Sequence, residues 1–167
     1  TANMTANEVI ANRAIEILGG VKGDYSIVHP NDHVNRAQST NDVFPSAAKL
    51  TAIKLLRKAI AQVERLEAAL AEKEKEFHDI IKMGRTQMQD AVPIRLGAEF
   101  GAYRKAIQRD LVRLNRAMEG MYAINMGGTA VGTALNANPA YVEALAPELA
   151  KITGLPLVKA DDLVDGT

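Results

Sequence analysis

Apolar residues recur along this chain at steps of three and four over two long stretches. From Phe44 to about Lys82 the stripe is Leu50, Ile53, Leu56, Ile60, Val63, Leu66 and Leu70, the spacing of one face of an α-helix. A rod of about 40 residues rising 1.5 Å each spans roughly 60 Å. Pro45 is tolerated there as a residue of the first turn. A second stripe, Leu96, Phe100, Tyr103, Ile107, Leu111, Leu114 and Met118, predicts a helix from about Ile94 to Tyr122. Rods of this length without internal breakers predict an all-α, long-helix bundle. Leu55, Ala59, Ala68 and Ala71 fall off the first stripe. One seam within the chain does not cover them, so burial against other subunits is expected.

Shorter elements flank the rods. Residues 7–18 place Val9, Ile10, Ala14, Ile17 and Leu18 on one face, with Thr5 or Asn7 as N-cap and Gly19-Gly20 as the stop. The following stretch, with "HPNDHVNRAQSTND", is rich in Pro, Asn, Asp, Ser and Thr and reads as a loop. Long loops inside compact domains are functional or disordered, and the scarcity of Gly and Glu favours an ordered, functional one. Between the rods, "GRTQMQD" at 84–90 reads as a polar connector, with Gly84 its turn and Asp90 the cap of the second rod. The stretch "INMGGTAVGTALNANPAY" carries Gly127, Gly128, Gly132 and Ala134, which predicts a tight loop of close approach. A helix from about Pro139 to Ile152 ends at Gly154, and Pro147 should bend or split it.

Composition narrows the chemistry. Of 167 residues 47% are apolar but only 4% aromatic, with no Trp. Ala, Leu, Ile and Val must do the packing, which suits closely apposed helices. Twenty Lys and Arg balance twenty Asp and Glu, so nothing steers the chain to nucleic acid or an anionic membrane. The absence of Cys removes disulfides, thiolate metal sites and a cysteine nucleophile, and fits a reducing, cytoplasmic setting. No apolar run approaches the ~20 residues of a membrane span, and "TANMTANEV" lacks the basic and apolar regions of a signal peptide. The missing initiator Met and the ending "DDLVDGT" lead us to expect an internal piece of a longer protein. His29 and His33 are four apart but in a Pro/Asn loop, and His78 stands alone, so no metal site is expected. No phosphate loop, dinucleotide fingerprint or nucleophile elbow is present, so no cofactor is indicated.

Two polar clusters remain. In "QSTND", Ser39, Thr40, Asn41 and Asp42 are all helix-capping types. A helix uses one cap, so the consecutive donors Ser39, Thr40 and Asn41 are not all explained by capping. Helix N-termini favour carboxylates and phosphates through unpaired N–H groups and the dipole. With Thr86 and Gln87 near the start of the second rod, these donors form a candidate neutral cradle for a carboxylate. The plainer alternative is a non-catalytic helical assembly module in which both clusters only cap helices.

The blocks "NMTANEVIANRA", "HPNDHVNRAQSTND", "GRTQMQDAVPIRLGAEF" and "NMGGTAVGT" follow one another in this order. Together they resemble the aspartase/fumarase superfamily, homotetrameric lyases that eliminate ammonia, water or an amine to release fumarate. The resemblance implies that residues 1–167 are the superfamily's central helical-bundle domain, with a short piece of the preceding domain at about 1–40. It implies a homotetramer with active sites shared between subunits, a dicarboxylate substrate (L-aspartate or fumarate) and no cofactor. By position, Ser39, Thr40 and Asn41 match the substrate-binding triplet, and Thr86 matches the Thr that binds a substrate carboxylate. Gln87 stands where class II fumarases and some aspartases have His and other aspartases have Gln, which favours release of ammonia over water. The reaction so implied removes a Cβ proton to give an aci-carboxylate and then expels the amino group. His29, Asn31 and Asp32 resemble a secondary dicarboxylate site. The loop bearing the general-base serine is expected beyond Thr167, so no catalytic base is assigned within 1–167, and the chain alone is expected to be inactive. Thr1 aligns with a Ser of the family's Gly-Thr-Ser segment. A fumarate hydratase of the same superfamily is the alternative.

Overall fold

A computed structural model describes residues 2–167; Thr1 and its expected alignment lie outside the described residues. The fold is the all-α, long-helix one, with few strands. Helix α1 spans Ala2–Ile17, α2 Thr40–Glu76, α3 Leu96–Gly120 and α4 Pro139–Thr153. Strands β1 (Ile81–Thr86) and β2 (Gln89–Arg95) pair antiparallel, and the two-residue strands β3 (Ala123–Ile124) and β4 (Val158–Lys159) pair in parallel. The chain divides into two compact units, one formed by residues up to Thr51 with Met121–Thr167, the other by Ala52–Gly120.

In the first unit, Ile124, Ala146 and Leu157 form a buried core with Leu50, Met126 and Leu149 against it. Helix α1 begins earlier than the sequence predicts, so neither Thr5 nor Asn7 is its cap. Asn7 is buried and its Nδ2 donates to Asn35 Oδ1 at 2.8 Å, tying α1 to the loop. The stop falls as expected, with Gly19 at φ +80°. The loop after it contains a π-helical turn, Pro30–Val34. Helix α4 has Asn138 as N-cap and Gly154, at φ +66°, as C-cap. Pro147 does not split it: the helix runs through as one element.

The second unit departs most from expectation. The connector is a β-hairpin, and α2 ends at Glu76 rather than near Lys82. Thr86 pairs with Gln89, leaving Gln87 (φ +49°) and Met88 (φ +61°) as the central residues of a two-residue turn. Positive φ at both positions defines the type I′ hairpin turn, which matches the twist of its strands. Gly84 is not the turn but sits at an irregularity in β1 between Met83 and Arg85. A Cβ there would lie 2.7 Å from Val92 O, so the close strand approach demands Gly. Asp90 caps nothing: its Oδ1 accepts from Arg85 Nε at 3.0 Å across the hairpin. Helix α3 starts instead with Leu96 N donating to Ile80 O (2.9 Å) and Gly97 N to Phe77 O (3.0 Å). The main chain leaving α2 thus satisfies N–H groups that a side-chain cap would otherwise take.

Asn-Gly is the usual type I′ pair, and Met88 is 92% exposed, so its αL backbone is a cost with little packing in return. Met88→Gly is expected to stabilise the hairpin by up to about 1 kcal/mol, read as a higher urea midpoint. An unchanged or lower midpoint would contradict the turn assignment.

The first turns of α3 lie close on the end of α2. A Cβ on Gly97 would meet Glu74 O at 2.5 Å, and one on Gly101 would meet Glu74 Oε1 at 2.7 Å. Arg104 then bridges Glu67 (2.7 Å) and Glu74 (3.1 Å). Its guanidinium and the Gln108 amide hold the Glu67 carboxyl below its ordinary range. Beyond this the rods bury little: Ile53 and Ile60 are buried, but Leu55 is 59% and Leu66 48% exposed, and Tyr103 and Val112 are exposed too. The predicted stripes are helical and mostly half-buried, with Leu66 and Tyr103 exposed along them and Leu55 and Val112 exposed off them.

Candidate functional site

The N-terminus of α2 is built by a reciprocal cap. Ser39 Oγ accepts from Asn41 N at 3.2 Å, while Asp42 Oδ1 accepts from Ser39 N at 2.9 Å. This is a capping box with Asp as its third-position carboxylate. An oxygen that accepts from the backbone keeps its own hydrogen to donate, so capping leaves the Ser39 hydroxyl free to serve a ligand. Thr40 and Asn41, in the first helical turn, are exposed and Ser39 is half-buried.

Residues 125–133, the "NMGGTAVGT" block, are joined to this helix start at several points. Asn41 Nδ2 donates to Ala130 O at 2.7 Å. Asp42 Oδ2 accepts from Gly127 N (3.2 Å) and Thr129 N (3.0 Å). Asn125 Nδ2 donates to Asn41 O at 3.1 Å, and Ser46 Oγ donates to Asn125 Oδ1 at 3.1 Å. Pro45 explains why Asn41 O is free. It lies in the second turn of α2, not the first, and lacks the N–H that would bond the carbonyl four residues back. Asn125 takes that place.

The result is a cleft of about 350 Å³ walled by Ser39, Gln38, Thr129, Thr133 and Asn136. Its lining is hydroxyl, amide and apolar, without a charged side chain. Unusual backbone surrounds it: Ala37 (φ +57°), Thr129 (+60°), Ala134 (+55°) and Asn136 (+65°) are all left-handed. For a β-branched residue such as Thr129 that conformation is an outlier that the surroundings must enforce. Gly127 and Gly132, at φ +94° and +82°, supply the close approach that the sequence predicts for this loop. Tyr141 stands nearby, its hydroxyl pushed above the usual phenol range by burial, with a hydrogen bond from Gln38 opposing the shift.

Thr86 and Gln87 belong to the other unit, where both are exposed, Thr86 ending β1 and Gln87 in the turn of the hairpin. His29, Asn31 and Asp32 come together in the π-helical turn. There His29 Nδ1 accepts from Asn31 N and Asp32 N, each at 3.2 Å, so the imidazole caps its own turn. Sequence reasoning missed the anchoring role of Asp42 and Asn125. The Ser-x-x-Asp spacing was the available signal for the first; nothing local marks the second.

The site is a helix start presenting hydroxyl and amide donors beside a strained glycine loop, and comparison with known proteins gives the family. Residues 1–167 match the family model described as Lyase, and the chain belongs to this family, the lyases of the aspartase/fumarase superfamily. It is 54% identical over 165 residues to aspartate ammonia-lyase of Bacillus subtilis (strain 168), covering 99% of this chain and 35% of that protein. It is 49% identical over 159 residues to the mitochondrial fumarate hydratase of Mus musculus, covering 95% and 31%. The crystal structure of fumarate lyase:delta crystallin from Brucella melitensis bound to cobalt superposes with a TM-score of 0.93 at 48% identity, covering 98% of this chain and 36% of that one. The chain thus spans about a third of the length of the curated relatives it matches.

Proposed function

We propose that this chain is the substrate-holding part of an aspartate ammonia-lyase, which converts L-aspartate reversibly to fumarate and ammonia. The observation that carries the reading is the capping box at Ser39–Asp42, which leaves Ser39, Thr40 and Asn41 as neutral donors beside the glycine loop. The weakly acidic Cβ proton of aspartate leaves only if charge developing on the adjacent carboxylate is stabilised, a task for preorganised hydrogen-bond donors. Ser39 and Thr40 donate to that carboxylate. Thr86 binds a substrate carboxylate, and Asn41 and Gln87 hold the amino group or a carboxylate by hydrogen bonds. Neither amide ionises near neutral pH, so neither serves as acid or base. The base is a serine outside residues 1–167, so these residues alone do not turn over.

In this reading 1–167 is the central helical domain, with the end of the preceding domain at about 1–40, and the enzyme works in the cytoplasm as a homotetramer with shared sites. The exposed apolar residues of α2 and α3, Leu55, Leu66, Tyr103 and Val112, support assembly. The test is fumarate absorbance at 240 nm with the intact protein. L-Aspartate should yield fumarate and L-malate little. The reverse preference would make the protein a fumarate hydratase, and inertness toward both would leave a helical assembly module.

A further inference from the structure

We propose that Asp42 is a positioning residue, whose carboxylate sets the donor Ser39 in register with the strained Thr129 turn across the cleft; this rests on the lyase reading above. Asp42 is fully buried and its two oxygens are divided between the two walls. Oδ1 holds Ser39 N at 2.9 Å; Oδ2 holds Gly127 N at 3.2 Å and Thr129 N at 3.0 Å. A single carboxylate therefore bridges the two walls by one hydrogen bond on one side and two on the other. It is not among the residues that line the cleft, so it acts through its neighbours rather than on a ligand.

The remaining links do not replace it. Asn41 Nδ2 to Ala130 O and Asn125 Nδ2 to Asn41 O join the same two segments. Neither reaches the amide of Thr129, whose φ of +60° needs an acceptor to hold it. The carboxylate supplies this from a helix start that it also caps. A change that separates the cap from the loop thus moves Thr129 relative to Ser39 without removing any group that faces the cleft.

Asp42→Asn makes that separation at nearly constant volume. An amide has one accepting oxygen and an NH2, and whichever wall the NH2 faces, N–H meets N–H. In the intact protein, kcat is expected to fall about a hundredfold with a smaller change in KM, as for misplacement of an otherwise complete site. Hydrogen exchange should quicken at the amides of Gly127 and Thr129 while α4 stays protected. Adding Thr129→Gly, which removes the steric cost of positive φ, should restore part of the lost kcat. Asn138→Ala serves as the control. It deletes the N-cap of α4, and should lower Tm while leaving kcat near wild type. Wild-type kcat in Asp42→Asn, or an equal kcat loss in the Asn138→Ala control, overturns the proposal. If the wild-type protein forms no fumarate from any substrate, the lyase reading fails, and exchange decides the rest: unchanged exchange at Gly127 and Thr129 overturns the hold of Asp42 on the loop.

Discussion

Gly132→Ala is expected to destabilise the protein by at least about 3 kcal/mol, from strain and overpacking together. The residue has φ +82°, where an L side chain costs roughly 1–2 kcal/mol. Space is the larger problem. A Cβ would lie 2.4 Å from Val164 Cα and 2.5 Å from both Leu163 O and Val164 N. These are backbone atoms that cannot rotate away, so the glycine loop and the segment at 163–164 must part. Gly23→Ala separates the two effects. Gly23 has φ +89°, and a Cβ there would meet nothing within 4 Å, so only the conformational cost of roughly 1–2 kcal/mol should appear. Urea unfolding of both variants checks the pair, and equal losses would refute the close approach at Gly132.

The second large effect is on chemistry. Ser39→Ala should lower kcat/KM by about 10²–10³, the usual cost of losing one preorganised donor to a developing oxyanion. It should also weaken α2 by about 1 kcal/mol through the lost cap. Ser39→Gly removes the same hydroxyl, but Gly at an N-cap costs only a few tenths of a kcal/mol relative to Ser. The two variants should therefore differ in urea midpoint and agree in kcat/KM. Activity that tracks the midpoint, with Ser39→Gly nearly wild type, would show that Ser39 matters only as a cap.

The helices were legible because their stripes persist for many turns, and the ends of α4 because Pro139 and Gly154 act locally. The hairpin was not. Its strands carry Lys82, Gly84, Arg85, Asp90 and Pro93, its turn is Gln-Met rather than Asn-Gly, and little of either strand is buried. Neither alternation nor turn chemistry announces it. The start of α1 was misplaced for a different reason: Asn7 looks like a cap by type, but it serves a tertiary partner, Asn35. At the cleft, the triplet and the glycine loop were both visible in the sequence, but not their connection. Asp42 is explained locally by the capping box, which hides its bonds to amides 85 and 87 residues away.

The capping box has a consequence for how such a protein can change. Any substitution at Ser39 alters the start of α2 as well as the donor it presents, so selection for a new substrate there is opposed by selection for folding. Gln87 carries a lighter constraint: its side chain is exposed, and only its left-handed backbone (φ +49°) restricts what can replace it. Exchange of its amide for another unbranched side chain costs the fold little. On the aspartase reading proposed above, new leaving-group preferences should therefore arise more readily at the hairpin tip than at the helix start.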